Sequence, residues 1–330
     1  MRLVVTLATA GVATDARRFL LVFVAAVLFG LGMVAAGLVA LKRKGWLPAP
    51  PLTATNCIDS KFALMRGLPL EDRTMLAIGS SATWRNLDMS VFEERFPGTR
   101  AYNAAPCYIH IDQTAFMTAF MLERMPRVQT VVVVVAPRDF ENCAPSQQAF
   151  FDTRLGHAYL SRYIPARLLY VTGFRPLYLA REALTARANR GESEFDTLED
   201  DYGSSVLRKP HGWRPPMRID PRCYEGVTAL EDVAAAKGAR LVIATVPIMP
   251  EWAATQDPDG HRIAEWVRRI GTALRRESSV MVDGRVLAWG DARFADPVHV
   301  VYPYHRQFSE FIADAIARRR RGPARIAEQG

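Results

Sequence analysis

The sequence predicts an α/β domain, a parallel sheet covered by helices on both faces, standing behind one N-terminal membrane helix. Three observations lead there. Phe19 to Leu41 carries no charged residue over 23 positions. Val131 to Val135 is an unbroken β-branched run, the pattern of a strand buried on both faces of its sheet. Runs of that kind alternate with segments of helical apolar spacing along the rest of the chain, as strand–helix–strand units do.

A chain of 330 residues, 49% apolar and 23% charged, has the make-up of an ordinary globular protein and the length for one large domain or two small ones. The formal charge of +8 raises the question of an acidic partner. Much of the excess flanks the ends: Arg17, Arg18, Lys42, Arg43 and Lys44 near one, Arg318 to Arg321 and Arg325 at the other. A nucleic-acid binder carries a basic stripe with interleaved aromatics, and none is present, so nucleic acid is not expected as a partner. Basic ends suit a solvated, membrane-proximal role. There is no internal repeat.

The first element is the membrane helix. After a short tail (1–18), the apolar segment 19–41 is long enough, at about 1.5 Å per residue, to reach roughly 34 Å and cross a bilayer. A signal peptide has a shorter apolar region and a small-residue cleavage site; here Lys42-Arg43-Lys44 follows instead, so an uncleaved single-pass anchor is expected. Arg2, Arg17 and Arg18 balance Lys42, Arg43 and Lys44, so charge alone does not orient it. The chemistry below argues for an exported domain, on the periplasmic or extracellular side of the inner (cytoplasmic) membrane.

A linker (42–73) follows, stiffened by Pro48, Pro50 and Pro51. The α/β domain is read over 74–320. It opens with a strand at Met75–Ile78, then a helix at Ser90–Phe96, a short strand at Arg100–Ala105 and a helix at Asp112–Met125 striped by Ala115, Phe116, Ala119, Phe120 and Leu122. Val131–Val135 is the central strand. An irregular insertion spans about 159–221: first helical pieces interrupted by Pro165 and Pro176, then a polar, Pro/Gly-punctuated excursion from Arg187. Alternation resumes with a helix at Gly226–Lys237 stopped by Gly238, a strand at Leu241–Val246, a helix at Asp259–Arg276, a strand at Val280–Val282 and a terminal helix marked by Phe308, Phe311, Ile312, Ala315 and Ile316. A basic tail (321–330) ends the chain.

Chemistry concentrates at two places. Met75–Ile78 stops abruptly at Gly79, and Ser80 and Ser81 follow. Ligands bind at the carboxyl ends of strands in α/β sheets, and a serine there can be a nucleophile if the chain supplies a base and a group to orient it. The other reading is a Gly-Ser-Ser turn that caps the next helix. The second place is Asp296-Pro297-Val298-His299. An Asp three residues before a His on a short loop can hold Nδ1–H, leaving the other ring nitrogen to take a proton from a serine.

Together these segments resemble the SGNH hydrolase superfamily, the GDSL-like esterases and acyltransferases, over roughly Thr74 to Arg318. The resemblance implies a flavodoxin-like doubly wound sheet, with Ser81 as nucleophile, Ser80 in the place of the family's Asp, Asp296 as orienter and His299 as base. The chain is similar above all to membrane-anchored branches that carry Gly-Ser-Ser, the teichoic-acid D-alanylation and alginate O-acetylation proteins, which work with membrane-bound O-acyltransferases. The implied activity is that of a serine esterase or O-acyltransferase acting on cell-envelope or exported polysaccharide, with no cofactor and with an acyl donor supplied by such a partner. Water as acceptor makes an esterase and a glycan hydroxyl makes a transferase.

The chain also departs from the family. Asn103-Ala104-Ala105 puts Ala105 where a glycine N–H helps the oxyanion hole, with Asn103 a further oxyanion or substrate candidate, and Ala136-Pro137-Arg138-Asp139 puts Arg138 where the family has an oxyanion-binding Asn. Arg138 could serve the oxyanion, bind an anionic glycan, or pair with Asp139. Arg85, four residues past Ser81, reads as a substrate contact or as a salt-bridge partner of Asp88. These departures motivate a rival, a non-catalytic glycan-binding accessory subunit of a membrane polysaccharide-modification complex. No G-x-G-x-x-G follows the first strand, which argues against a nucleotide-binding domain. His110 reads as a helix-start residue or as one that lines the site; His157, His211, His261 and His305 show no metal-ligand spacing, so no metal is expected. Of Cys57, Cys107, Cys143 and Cys223, the pair Cys107–Cys143 is expected as a disulfide, each following the end of what reads as a neighbouring strand.

Overall fold

The β-branched run Thr130–Val135 forms the longest strand of the central sheet, β3, with every position buried. Met75–Ala77 (β1) and Ala101–Asn103 (β2) are buried throughout as well. The computed structural model describes residues 3–189 and 197–321. Thr197–Glu199 (β4) and Ser205–Leu207 (β5) form an antiparallel hairpin apart from that sheet, and Arg240–Thr245 (β6) and Val280–Val282 (β7) complete it. The five strands lie in the order β2-β1-β3-β6-β7, all parallel. Met75 pairs with Ala101 on one side and Thr130 on the other, and β3 pairs with β6 along its whole length, Thr130 with Arg240 through Val135 with Thr245.

The protein is thus α/β, with a five-stranded parallel sheet and one N-terminal apolar helix. The chain moves one way from β1 to β2, then back across β1 to β3, β6 and β7. Right-handed crossovers running in opposite directions put their helices on opposite faces of a sheet. Ile111–Arg124 and Cys223–Ala236 pack on each other on one face, and Tyr304–Arg321 packs on Ser81–Asn86 and Ser90–Arg95 on the other. The reversal falls between β1 and β3, so the crevice at their carboxyl ends is where a site is expected.

Two compact units are distinguished. One comprises Met1–Pro48 and Arg175–Glu192. It holds the helix Leu3–Arg43, whose stretch Ala16–Arg43 is long and apolar enough to cross a membrane, and the helix Pro176–Ala188. The other comprises Ala49–Phe174 and Ser193–Gly330 and carries the sheet.

Most expected elements are present with ends shifted by a few residues. Three differ. The segment read as a linker contains a helix, Asn56–Met65, whose Ile58, Phe62 and Met65 are core residues. Asp59 holds its approach: Oδ1 accepts from Thr53 N (2.7 Å) and Oδ2 from Ala54 N (3.0 Å). The excursion after Arg187 contains the β4–β5 hairpin, although residues 190–196 lie outside the described part, as do 322–330 of the basic tail. The expected Cys107–Cys143 disulfide is corrected. Cys57 is bonded to Cys107 and Cys143 to Cys223, with Cα–Cα distances of 6.0 and 5.2 Å. The strands before Cys107 and Cys143, β2 and β3, are not neighbours: β1 lies between them.

Gly79 ends β1 at φ +151, and a Cβ there would collide with Thr83 Oγ1. Replacing it by Ala is expected to destabilise the fold by on the order of 2 kcal/mol or more, read as a lowered denaturation midpoint. Peptide mapping without reduction should recover Cys57–Cys107 and Cys143–Cys223 as the linked pairs, and no Cys107–Cys143 peptide.

Candidate active site

Of the two readings of Gly79-Ser80-Ser81, the helix cap is realised, and by Ser80. Ser80 is the N-cap of helix Ser81–Asn86: its side chain accepts from Ala82 N at 3.1 Å, satisfying one of the N–H groups a helix start leaves open. Ser81, the first residue of that helix, lines a cavity of about 750 Å³ together with Asp296 and His299. Thr83 locks the helix to the sheet, since its Oγ1 accepts from Val134 N at 2.9 Å.

The loop carrying Asp296 and His299 comes from the far end of the chain, and Asn86 joins it to the serine helix. Asn86 Nδ2 donates to Val298 O and Asn86 Oδ1 accepts from Val300 N, each at 2.8 Å. A buried amide used this way imitates a strand edge and fixes the loop's distance from Ser81. Nothing in the spacing of the sequence singles Asn86 out.

Asp296 is wholly buried. Its Oδ1 accepts from Val298 N (2.7 Å) and His299 N (3.0 Å), and its Oδ2 lies 2.7 Å from His299 Nδ1. Burial alone would push this carboxyl up, but His299, His211 and the backbone N–H groups together hold it well below the usual carboxylate range. With Nδ1 committed to Asp296, the His299 proton acceptor is Nε2, which is buried and has no hydrogen-bond partner among the described residues.

The second imidazole was not legible. His211 Nε2 lies 2.9 Å from Asp296 Oδ2, the oxygen that His299 also uses. His211, Asp296 and His299 thereby gather three groups of metal-ligating type within 4.8 Å of one another. The ligands of a tetrahedral zinc keep about 3.3 Å from each other. The separations of 2.7 and 2.9 Å are shorter and describe two imidazoles held against one carboxylate.

His211 arrives on a strap formed by the β4–β5 hairpin and the chain after it. Tyr202 O accepts from Asn103 N (2.8 Å), Gly203 O accepts from Lys61 Nζ and from Trp84 Nε1 (3.1 Å), and Leu207 O accepts from Tyr302 N (2.8 Å). Gly203, at φ +87, approaches so closely that a Cβ would lie 2.6 Å from Asn103 O. Lys61 is buried between the Trp84 and Tyr102 rings, and burial lowers its ammonium to about 7, opposed by Asp200 and Glu199.

That strap corrects the expected oxyanion positions. Asn103 is buried and structural: its Nδ2 donates to Thr83 O (3.1 Å) and to Ser204 Oγ (3.1 Å), while its Oδ1 accepts from Ala105 N at 3.1 Å. The Ala105 N–H is spent, and neither residue lines the cavity. Arg85 and Arg138 do line it. Arg85 is buried with its guanidinium 4.6 Å from the Trp84 ring centroid. Arg138 pairs with Glu141 at 3.2 Å, not with Asp139, and lies 5.4 Å from the Trp213 ring. Asp88 pairs with Arg306 at 3.4 Å and caps Ser90 N at 3.1 Å. His110 precedes helix Ile111–Arg124, its N–H accepted by Gln113 Oε1 at 3.0 Å, and it also reaches the cavity wall. The Cys57–Cys107 bridge forms part of that wall.

Asp139, beside Ser80, is the other carboxyl at the cavity. Burial pushes it up to about 7, against the pull of the Ser80 hydroxyl and of Ala136 N, which donates to it at 2.8 Å.

No protein-family model matches the chain, and no curated protein matches it.

Two outcomes follow from this geometry. Asn86→Ala leaves the buried Val298 C=O and Val300 N–H without partners, a loss of about 2–4 kcal/mol by chemical denaturation. Asp139 carries an unfolded value near 3.8 and a folded value of about 7, so the folded state binds the extra proton between them. Stability therefore falls as pH rises through that window. Asp139→Asn, neutral throughout, should flatten the dependence, measured as denaturation midpoints from pH 4 to 8.

Proposed function

We propose that the chain is a membrane-anchored serine esterase or O-acyltransferase acting on cell-envelope or exported polysaccharide through an acyl-enzyme on Ser81. One observation carries the reading most. His299 holds Nδ1 against a buried carboxylate and keeps Nε2 unpartnered at a cavity that Ser81 also lines. That is the arrangement in which an imidazole takes a serine proton.

In the reaction, Ser81 Oγ attacks the carbonyl carbon of an acyl ester as its proton passes to His299 Nε2. The tetrahedral intermediate collapses with cleavage of the ester C–O bond, and the leaving alcohol takes the proton from His299. A glycan hydroxyl or water then gives its proton to Nε2 and attacks the acyl-enzyme, and Ser81 recovers the proton as the new ester or free acid departs. Asp296 keeps its negative charge throughout and steadies the imidazolium. With Asn103 and Ala105 spent elsewhere, the Ser81 N–H, which has no intrahelical acceptor, and the guanidinium groups of Arg85 and Arg138 are the donors for the oxyanion.

The strand order 2-1-3-6-7, with the hairpin set aside, supports this reading, since flavodoxin-like sheets run 2-1-3-4-5. Two disulfides suit an oxidising compartment. With the apolar N-terminal helix they support an inner-membrane protein whose domain lies on the periplasmic or extracellular side, where a membrane-bound O-acyltransferase could supply the acyl donor.

A second reading has its own observation. Asn103 and Ala105, two of the positions expected to serve the oxyanion, are consumed by structural hydrogen bonds, as suits a non-catalytic glycan-holding subunit with Trp213 and Tyr108 at its cavity. A serine-directed fluorophosphonate separates the two. Labelling at Ser81 that is lost in Ser81→Ala and falls on the order of a thousandfold or more in His299→Ala supports the enzyme. Silence of the folded wild-type protein toward the probe, with no ester hydrolysis or transfer on acylated glycan, supports the accessory subunit.

A further inference from the structure

His211 belongs to no motif, yet the fold delivers it to the most buried charge of the site. Its backbone N donates to Ala295 O at 2.9 Å, one residue before Asp296, and its Nε2 sits 2.9 Å from Asp296 Oδ2. The same oxygen faces His299 Nδ1 at 2.7 Å, while Oδ1 takes the N–H groups of Val298 and His299. One carboxylate, wholly buried, therefore serves two imidazoles. The His211 side chain is 29% exposed, whereas that of His299 is 9% exposed, so only one of the two is enclosed as a base needs to be.

We propose that His211 is a positioning residue that shares Asp296 with His299 and so governs how firmly that carboxylate grips the base. The inference rests on the reading of Ser81 as nucleophile and His299 as base. A donor on a carboxylate oxygen neutralises part of the charge that a second donor on that oxygen feels. With His211 in place, Asp296 aims the His299 ring without holding an imidazolium too tightly to release its proton. Without His211, the charge of Asp296 falls on His299 alone, and the imidazolium persists to higher pH. The sign is the same whether His211 is neutral or cationic, because either form subtracts from the negative potential at His299. Arg85, Arg138, Asp139, His110 and Tyr108 also face the cavity and are common to the wild type and to variants at position 211.

The strap is built for this delivery. It is fastened on both sides of the crevice, at Asn103 and Trp84 by residues 202–204 and at Tyr302 by Leu207, before it reaches Ala295. A loop that only covered the cavity would not need its backbone bonded next to the carboxylate it contacts.

The test uses the full-length protein in detergent micelles, with His211→Leu, which lacks a donor, and His211→Gln, which keeps an N–H. The chain has only 6 histidines, so ¹⁵N-histidine NMR can follow the His299 ring directly. The second readout is the rate of fluorophosphonate labelling at Ser81 against pH. His211→Leu is expected to raise the His299 titration midpoint, and the acid limb of labelling with it, by about half to one pH unit. His211→Gln is expected to restore most of the wild-type midpoint. A His299 midpoint unchanged in His211→Leu, or raised equally in both variants, overturns the proposal. The NMR titration does not depend on Ser81. A raised and rescued midpoint in a protein whose Ser81 never labels would keep the sharing of Asp296 and remove the serine mechanism.

Discussion

The site depends on a single side-chain amide. Asn86 bonds both flanks of the 296–300 loop at 2.8 Å, and through it the carboxyl end of β1 and the C-terminal region meet at one crevice. Everything downstream assumes that distance. Asp296 can be buried because its four N–H contacts are in place, and His299 can present Nε2 because Asp296 is fixed. Buried polar groups are costly unless fully satisfied, so this loop has one arrangement and little freedom to drift from it.

Around that joint the fold adds walls rather than reactive groups. The strap meets the edge strand β2 by pairing Tyr202 O with Asn103 N, satisfying one of the backbone donors an open edge presents. The same residues seat Lys61 between two aromatic rings and bring Trp213 and His211 to the cavity. The Cys57–Cys107 bridge ties helix Asn56–Met65 to the chain after β2 at the same cavity. Architecture and site are thus one network, and the residues that hold the strap are those that a loop reading of the sequence passes over.

What was legible follows from burial. Val131–Val135 and Val280–Val282 were placed to within a residue, because a strand buried on both faces writes its position without reference to context. Asp296 and His299 were legible because their contact is local, three residues along one loop. Helix Asn56–Met65 was missed although Ile58, Phe62 and Met65 have helical spacing. Asp59 and Lys61 interrupt that stripe; Asp59 is bonded to Thr53 and Ala54, and Lys61 is buried by Gly203, far away in sequence. Asn103 was assigned to the oxyanion for the same reason: its amide is claimed by Ser204, which no pattern near Asn103 announces. His211 and Asp296 are brought together by a long excursion, and the disulfides follow the sheet order, with β1 inserted between β2 and β3. Long-range partners were the common cause.

The Asn86 joint also has a meaning in time. A chain that is made and exported from its N-terminus presents Ser81 long before the 296–300 loop exists. Until that loop has emerged and closed on Asn86, the Ser81 hydroxyl lacks His299 and the carboxylate that would orient it. On the proposed function, the protein would pass through synthesis and translocation chemically inert until the 296–300 loop armed it.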